Sequence, residues 1–245
     1  MRGLVVMIRT VTMLFLREPA AVFFTLAFPL MILLIFGAVF GNSPSPEYGG
    51  HGSVDVSIQG YIAMVIGTVT LIGLPVTLSA SREFGVLRRL RATPLSAATV
   101  VAAHVAVNAA FALFGVLLLV LAAKLIYDVR LPQLPVGVAA AWSLSFVAFC
   151  AVGFLLVGLL PTARTAQAVG SAIYFPQLFL SGAALPRTMF PETLKEWTAP
   201  LPMTQSVTLL YDLWHGEGWD WPAAALLSGV ALVAAALGTR FFRWE

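Results

Sequence analysis

The sequence SREFGVLRRLRATPLS, residues 81–96, is the one densely charged stretch of this chain. It contains Arg82, Arg88, Arg89 and Arg91, with Glu83 as the only acid among them. On each side the chain is mostly apolar for about 20 residues, which is the length of a helix that crosses a bilayer. The stretch therefore predicts a short charged segment held between two membrane spans.

The composition of the whole chain also indicates an integral membrane protein. Of its 245 residues, 60% are hydrophobic and 10% are charged, whereas soluble domains carry about 25% charged residues. One core of a soluble protein of this size could not hold so many apolar side chains, so a bilayer is the natural solvent for them. The single cysteine, Cys150, allows no internal disulfide and no CxxC metal or redox motif.

Six apolar stretches are long enough to be membrane-spanning helices, which need about 20 residues each. They are residues 20–40, 59–80, 99–126, 136–160, 165–185 and 222–240. We therefore predict an all-α membrane protein with six transmembrane helices. The whole chain, residues 1–245, is predicted to form a single transmembrane domain.

Lysine and arginine are divided unequally between the two sides of these predicted spans. One side would hold ten of the 14 basic residues, namely Arg2, Arg9, Arg17, Arg82, Arg88, Arg89, Arg91, Arg164, Arg240 and Arg243. The other side would hold Lys124, Arg130, Arg187 and Lys195. Because lysine and arginine concentrate in cytoplasmic loops, we expect residues 81–96 and both termini to lie in the cytoplasm.

The N-terminal segment, residues 1–19, has apolar residues at helical spacing. Leu4, Ile8, Val11 and Phe15 would share one face, with arginines on the other. This pattern predicts an amphipathic helix that lies on the cytoplasmic interface of the bilayer.

The segment before the last span, residues 186–221, is half apolar and is interrupted by Pro191, Pro200 and Pro202. It is too broken to cross the membrane, and its tryptophans suit the outer headgroup region. We expect two short helices there, around residues 191–197 and 204–214, that dip into the outer leaflet. Any irregular backbone at that depth must be covered by protein.

The sequence lacks the motifs that would give the chain an enzymatic activity of its own. It has no phosphate-binding GxxxxGK[ST], no HExxH and no GxSxG motif. The interiors of the predicted spans contain essentially no Asp, Glu, Lys or Arg, whereas ion pumps and coupled transporters usually place such residues there. We expect no catalytic residue, no metal site and no nucleic-acid partner, and an ion-coupled transporter is disfavoured.

Residues 81–96 form a recognisable pattern. As a helix the segment would end at Thr93, because the residue before Pro94 disfavours the α region. The segment resembles the cytoplasmic loop of the type-2 ABC transporter permeases, bacterial drug and lipid exporters that include the daunorubicin-type efflux permeases. The matching residues are Arg82, Glu83, Gly85, Leu87, Arg89, Leu90, Arg91, Thr93, Pro94, Leu95 and Ser96, while Val86 stands where threonine is common. Residues 179–197 and 200–214 resemble the segments that follow the fifth span in this family.

The resemblance implies that residues 81–97 are a coupling helix seated in a groove on a separate ATP-binding subunit. Arginines would pair there with acidic groups of the partner. The residues expected to carry the coupling are Arg82, Glu83, Leu87, Arg88, Arg91, Thr93 and Pro94. ATP and Mg²⁺ would lie on that partner, so this chain needs no cofactor. Two ATP-binding subunits would serve two permeases, either two copies of this chain or one copy and a paralogue.

The resemblance also implies that the second and fifth spans line the transport pathway, to which Tyr174, Gln177 and Phe179 would contribute. The scarcity of charge inside the spans favours export of an amphiphilic or apolar molecule, such as a drug, lipid or lipid-linked molecule, across a bacterial cytoplasmic membrane. Two alternatives stay open. An exporter of lipid-linked polysaccharide would share the architecture, and a membrane scaffold or sensor would have no ATPase partner. An importer permease is disfavoured because no EAA-type loop is present.

Overall fold

The computed structural model of the protein describes residues 2–83, 85 and 97–241. These residues form nine α-helices and no strand, which confirms the all-α prediction for the described part of the chain. The helices are α1 (Arg2–Leu16), α2 (19–40), α3 (Ser53–Glu83), α4 (Ala97–Tyr127), α5 (Pro135–Leu159), α6 (Ala163–Leu180), α7 (Glu192–Thr198), α8 (Pro202–His215) and α9 (Trp221–Phe241).

Five of the described helices are long and apolar enough to cross a membrane. The qualifying segments are Phe23–Phe40, Ser53–Glu83, Thr99–Tyr127, Pro135–Leu159 and Trp221–Phe241. They overlap five of the six predicted spans. The remaining prediction, residues 165–185, falls on α6, which ends at Leu180 and does not reach the same hydropathy, because Arg164, Gln167 and Gln177 dilute its apolar residues.

Helix α3 is the central element of the fold. Every residue from Ser53 to Leu71 is buried, and α2, α4, α5, α6 and α8 all pack against it. A helix that is apolar on all sides is surrounded by other helices rather than placed at an edge. Helix α3 therefore connects five of the other described helices.

Helix α3 begins at Ser53, six residues before the predicted start of the span at 59. The side-chain oxygen of Asn42 accepts hydrogen bonds from the backbone N–H groups of Val54 and Asp55, both at 3.1 Å. The Asp55 carboxylate in turn accepts the backbone N–H of Arg130 at 2.9 Å. A side chain from the segment before α3 therefore caps the helix.

Helix α1 packs on the first half of α4 through a stripe of apolar residues. Met7, Val11 and Phe15 are buried, and Phe15 stacks on Phe111 with ring centroids 4.0 Å apart. The predicted stripe of Leu4, Ile8, Val11 and Phe15 is therefore shifted toward Met7, and Ile8 is only half-buried. Val5 and Val6 are exposed on another side, so α1 has apolar residues on two faces. Its position at the bilayer interface stays a prediction.

The two short helices predicted before the last span form where they were expected, as α7 and α8. Helix α8 is largely covered by protein, with Met203, Leu209 and Leu210 fully buried against α3, α5 and α9. The indole N–H of Trp214 donates to the carbonyl oxygen of Arg130 at 2.8 Å. This burial meets the requirement that backbone at membrane depth be covered, while the depth itself stays a prediction.

Helix α6 runs antiparallel to α3 along most of its length. At one end the backbone N–H of Ala163 donates to the Glu83 carboxylate at 3.2 Å. At the other end Gly60 approaches the turn after α6 so closely that a Cβ on it would lie 2.7 Å from the carbonyl oxygen of Gly182. The start of α6 therefore lies beside the end of α3, and the turn after α6 lies beside the N-terminal part of α3.

Candidate functional site

Two helices of the protein contain a π-helical turn, and both turns face the same groove. In α2 the π segment is Phe23–Ala27, and the N–H of Phe28 donates to the carbonyl of Phe23. In α3 it is Thr68–Gly73, and the N–H of Leu74 donates to the carbonyl of Val69. These i→i+5 turns are rare and occur often at functional sites, so their convergence singles out this groove, which we call the π groove.

The π groove lies between α2, α3 and α6 and has a cavity volume of about 150 Å³. Its lining includes Phe15, Glu18, Ala21, Phe24, Thr25, Thr68, Ile72, Gly73, Val76, Gln167, Ser171 and Phe175. The lining combines hydroxyl and amide groups with aromatic and aliphatic side chains. Mostly apolar lining with a few polar groups is typical of sites for small organic ligands.

Polar side chains beside the groove are held by neighbouring backbone. The hydroxyls of Thr68 and Tyr174 lie 2.8 Å apart, and both reach the carbonyl oxygen of Met64, at 2.9 and 3.3 Å. The Thr70 hydroxyl donates to the carbonyl of Ile66 at 2.7 Å. The two bonds of Tyr174 join α6 to α3 at the height of the π segment.

Glycines on two neighbouring helices allow close approach to the same π segment. A Cβ on Gly153 of α5 or on Gly170 of α6 would collide with the carbonyl oxygens of Thr70 and Leu71, respectively. Because backbone oxygens cannot rotate away, only glycine fits at these two positions without separating the helices. The irregular turn of α3 is therefore held between α5 and α6, backbone against backbone.

The three predicted pathway residues do not meet in one cavity among the described residues. Tyr174 is buried, with 2% of its surface exposed, in the packed contact between α3 and α6. The side-chain oxygen of Gln177 accepts the backbone N–H of Met203 at 3.3 Å, which ties α6 to α8. Phe179 is 55% exposed on another face of α6. Their assignment to the pathway stays a prediction, and the π groove uses different residues of α6.

Arg82 and Glu83 hold the C-terminal end of α3 against the turn between α5 and α6. The Arg82 guanidinium donates to the carbonyl oxygens of Val157, at 3.0 Å, and Leu160. Glu83 accepts the N–H of Ala163 at the start of α6. We call this set of contacts the α3 brace. The cation satisfies carbonyls at the end of one helix and the carboxylate caps the next, as the helix dipole favours at each position.

The other predicted coupling residues, Leu87, Arg88, Arg91, Thr93 and Pro94, lie outside the described residues. The brace ends at Glu83, directly before them in the chain. Of the predicted coupling residues, Arg82 and Glu83 therefore form hydrogen bonds with the α5–α6 turn of this chain itself.

The residues predicted from the sequence to bear on function include none of the groove residues on α2 and α3. Threonines at 68 and 70 within a long apolar run were the available signal, because their hydroxyls bond back to the helix. Nothing in a local pattern indicates that the π segments of α2 and α3 meet.

Outside the spans, Asp212 near the end of α8 has a perturbed acidity. Its pKa is raised to about 6 by burial and by the neighbouring carboxylates of Glu217 and Asp220. Within the described ranges, no group of three or more His, Cys, Asp or Glu residues is arranged to hold a metal ion. The π groove and the brace are therefore the features of the described chain that bear on function.

Comparison with known proteins adds one finding. The family model described as ABC-2 type transporter matches residues 2–212, which include the groove, the brace and most of α8. No curated protein matches the chain significantly.

Proposed function

We propose that this chain, which belongs to the ABC-2 type transporter family and is thus the permease subunit of an ABC transporter, exports an amphiphilic or apolar molecule from the bacterial cytoplasm. A permease of this family associates with an ATP-binding subunit. In our proposal two such subunits bind ATP and Mg²⁺ and drive two permeases, which are two copies of this chain or one copy and a paralogue.

The proposal includes six membrane crossings, with α6 as the fifth. The 18 residues of α6 extend about 27 Å at 1.5 Å per residue, close to the roughly 30 Å of a hydrocarbon core. Its antiparallel contact with α3 supports the crossing, because α3 is itself a candidate span. Six crossings put both termini on the side of the arginine-rich segment, which is cytoplasmic by the distribution of basic residues.

The α3 brace is the observation that carries the proposal. It joins the end of α3, where the predicted coupling helix at 81–97 begins, to the α5–α6 turn. A push on the coupling helix by an ATP-binding subunit would reach α5 and α6 through these bonds. Since α6 forms one wall of the π groove, nucleotide-driven movement would change the width of the groove.

The π groove supports an amphiphilic substrate. Its wall combines three phenylalanines with hydroxyl and amide groups of Thr25, Thr68, Gln167 and Ser171. Such a surface accommodates an apolar body together with a few hydrogen-bonding groups, in keeping with the scarcity of charge inside the spans.

The test is co-purification of the chain with the ATP-binding protein encoded beside it, in nanodiscs. Arg91→Ala removes a cation of the predicted coupling helix and is expected to weaken the complex about tenfold, as hot-spot arginines do. Arg240→Ala is the matched control, because Arg240 is an exposed arginine outside that segment.

A stable complex that hydrolyses ATP, and that weakens with Arg91→Ala but not with Arg240→Ala, supports the permease proposal. Absence of a complex with any ATP-binding protein would contradict it and favour a membrane scaffold or sensor. Equal weakening by both variants would contradict the role of residues 81–97.

A further inference from the structure

We infer that the π groove binds amphiphiles that carry a single positive charge, with Glu18 as the residue that selects the cation. The inference names the substrate class of the export function proposed above, on which it rests. Within the described lining of the groove, the Glu18 carboxylate is the one charged side chain. All other lining residues are apolar or neutral polar.

The position of Glu18 suits a carboxylate at the mouth of the groove. Its backbone carbonyl accepts the N–H of Val22 at 3.2 Å, so Glu18 stands at the N-terminus of α2, where the helix dipole favours a carboxylate. Within the part of the chain that the structure describes, no cation forms an ion pair with this carboxylate. Its charge is therefore available to a ligand.

The walls of the groove suit the rest of such a molecule. Phe15, Phe24 and Phe175 offer aromatic faces, and aromatic rings attract ammonium groups as well as apolar chains. Thr25 and Thr68 lie in the two π segments and provide hydroxyl oxygens within the groove. An ammonium head would lie toward Glu18 and its chain toward Phe175.

Size and charge together favour a compact ammonium head over a phospholipid head. A cavity of about 150 Å³ is the size that accepts one benzene molecule in a protein interior. That space holds an ammonium group with its first methylenes, while the remainder of the chain would extend into lipid. A phosphate-bearing head would bring a negative charge toward Glu18 and be repelled.

The experiment uses the full chain in nanodiscs without nucleotide, so that its outcome does not depend on transport. The probe is dodecylamine with a photoreactive diazirine in its chain, and the comparison probe is its uncharged N-acetyl amide. Labelled peptides are located by mass spectrometry. We expect saturable labelling of peptides from α2, α3 and α6 by the amine, with the amide binding about three- to tenfold more weakly.

Glu18→Gln should weaken amine labelling about three- to tenfold and leave amide labelling unchanged. Glu18→Asp keeps the carboxylate and should restore most of the amine labelling. This result would distinguish loss of the charge from loss of the local structure. Glu47→Gln is the matched control, since Glu47 is an exposed acid in the Pro46–Tyr48 turn away from the groove.

Three results would overturn the inference. Equal labelling by amine and amide would mean that the groove recognises only apolar chains. Amine labelling that survives Glu18→Gln would exclude Glu18 as the selecting residue. Absence of labelling, together with disulfide formation between copies carrying Ser171→Cys, would mean that a second copy fills the groove. If the chain shows charge-dependent labelling but forms no complex with any ATP-binding protein, this inference is supported and the export proposal is contradicted.

Discussion

Replacing Gly170 with alanine tests whether α3 and α6 pack backbone to backbone at the π segment. A Cβ at this position would lie closer to the carbonyl oxygen of Leu71 than the 3.0 Å that real Cβ atoms essentially never cross. The obstacle is a backbone atom inside a helix, so no side chain can rotate to relieve the collision. The two helices must separate, or α3 must lose its π turn.

The expected magnitude is the difference between two effects. Alanine is favoured over glycine in a helix interior by about 1 kcal/mol, and overpacking of a close contact costs about 1–3 kcal/mol. The rigid obstacle places Gly170→Ala at the upper end of that cost, which gives a net loss of about 1–2 kcal/mol. A loss of that size lowers the midpoint of thermal unfolding by about 2–8 °C for a chain of this length.

Gly229→Ala is the matched control, because Gly229 lies in α9 and a Cβ there meets nothing within 4 Å. It should keep the favourable helix propensity and raise the midpoint by a few degrees or leave it unchanged. The assay is thermal unfolding in detergent, followed by intrinsic fluorescence. If Gly170→Ala is as stable as Gly229→Ala, the backbone packing of α6 on α3 described above is wrong.

Three further predictions concern other contacts. Asn42→Ala removes the cap of α3 and should lower stability by about 1–2 kcal/mol, measured by the same thermal assay, whereas Ser43→Ala at the neighbouring exposed position should have little effect. Tyr174→Phe removes the buried hydroxyl beside Thr68 and should cost about 0.5–1.5 kcal/mol, so a midpoint equal to that of the unmodified protein would contradict the contact. Asp212→Asn should stabilise the protein at pH 7.5 by roughly 1 kcal/mol, after allowance for solvent screening of this half-exposed group. Its raised pKa, about 6, means that the folded state holds the proton more tightly than the unfolded state. Stability is therefore lost as the pH rises from the usual aspartate range through about 6, and the gain should disappear near pH 4, as unfolding curves at the two pH values would reveal.

Hydropathy predicted the positions of most helices because a membrane requires long apolar segments, whatever their neighbours. The apolar stretch predicted at 165–185 falls on α6, where Gln167 is exposed and Gln177 accepts a hydrogen bond from Met203 of α8. The early start of α3 depends on Asn42, which caps it from another segment. No rule based on neighbouring residues can find such a cap.

The functional features were less accessible from sequence. The arginine-rich segment indicated the family, but no local pattern predicted that Arg82 and Glu83 bond to the α5–α6 turn, because that turn is distant in sequence. The π groove depends on the meeting of two irregular turns and on Glu18 at the corner between α1 and α2. Such features result from tertiary packing.

The most direct test of the account measures whether the α3 brace carries nucleotide-driven movement to the π groove. Cysteines replace Phe24 and Ser171 on opposite walls of the groove, in a Cys150→Ala background, and disulfide formation is measured in the complex with the ATP-binding protein. We predict that ATP changes the yield of disulfide when the brace is intact. The change should vanish with Arg82→Gln and Glu83→Gln together, although the complex still assembles. An unaltered response to ATP in that double variant would contradict the account.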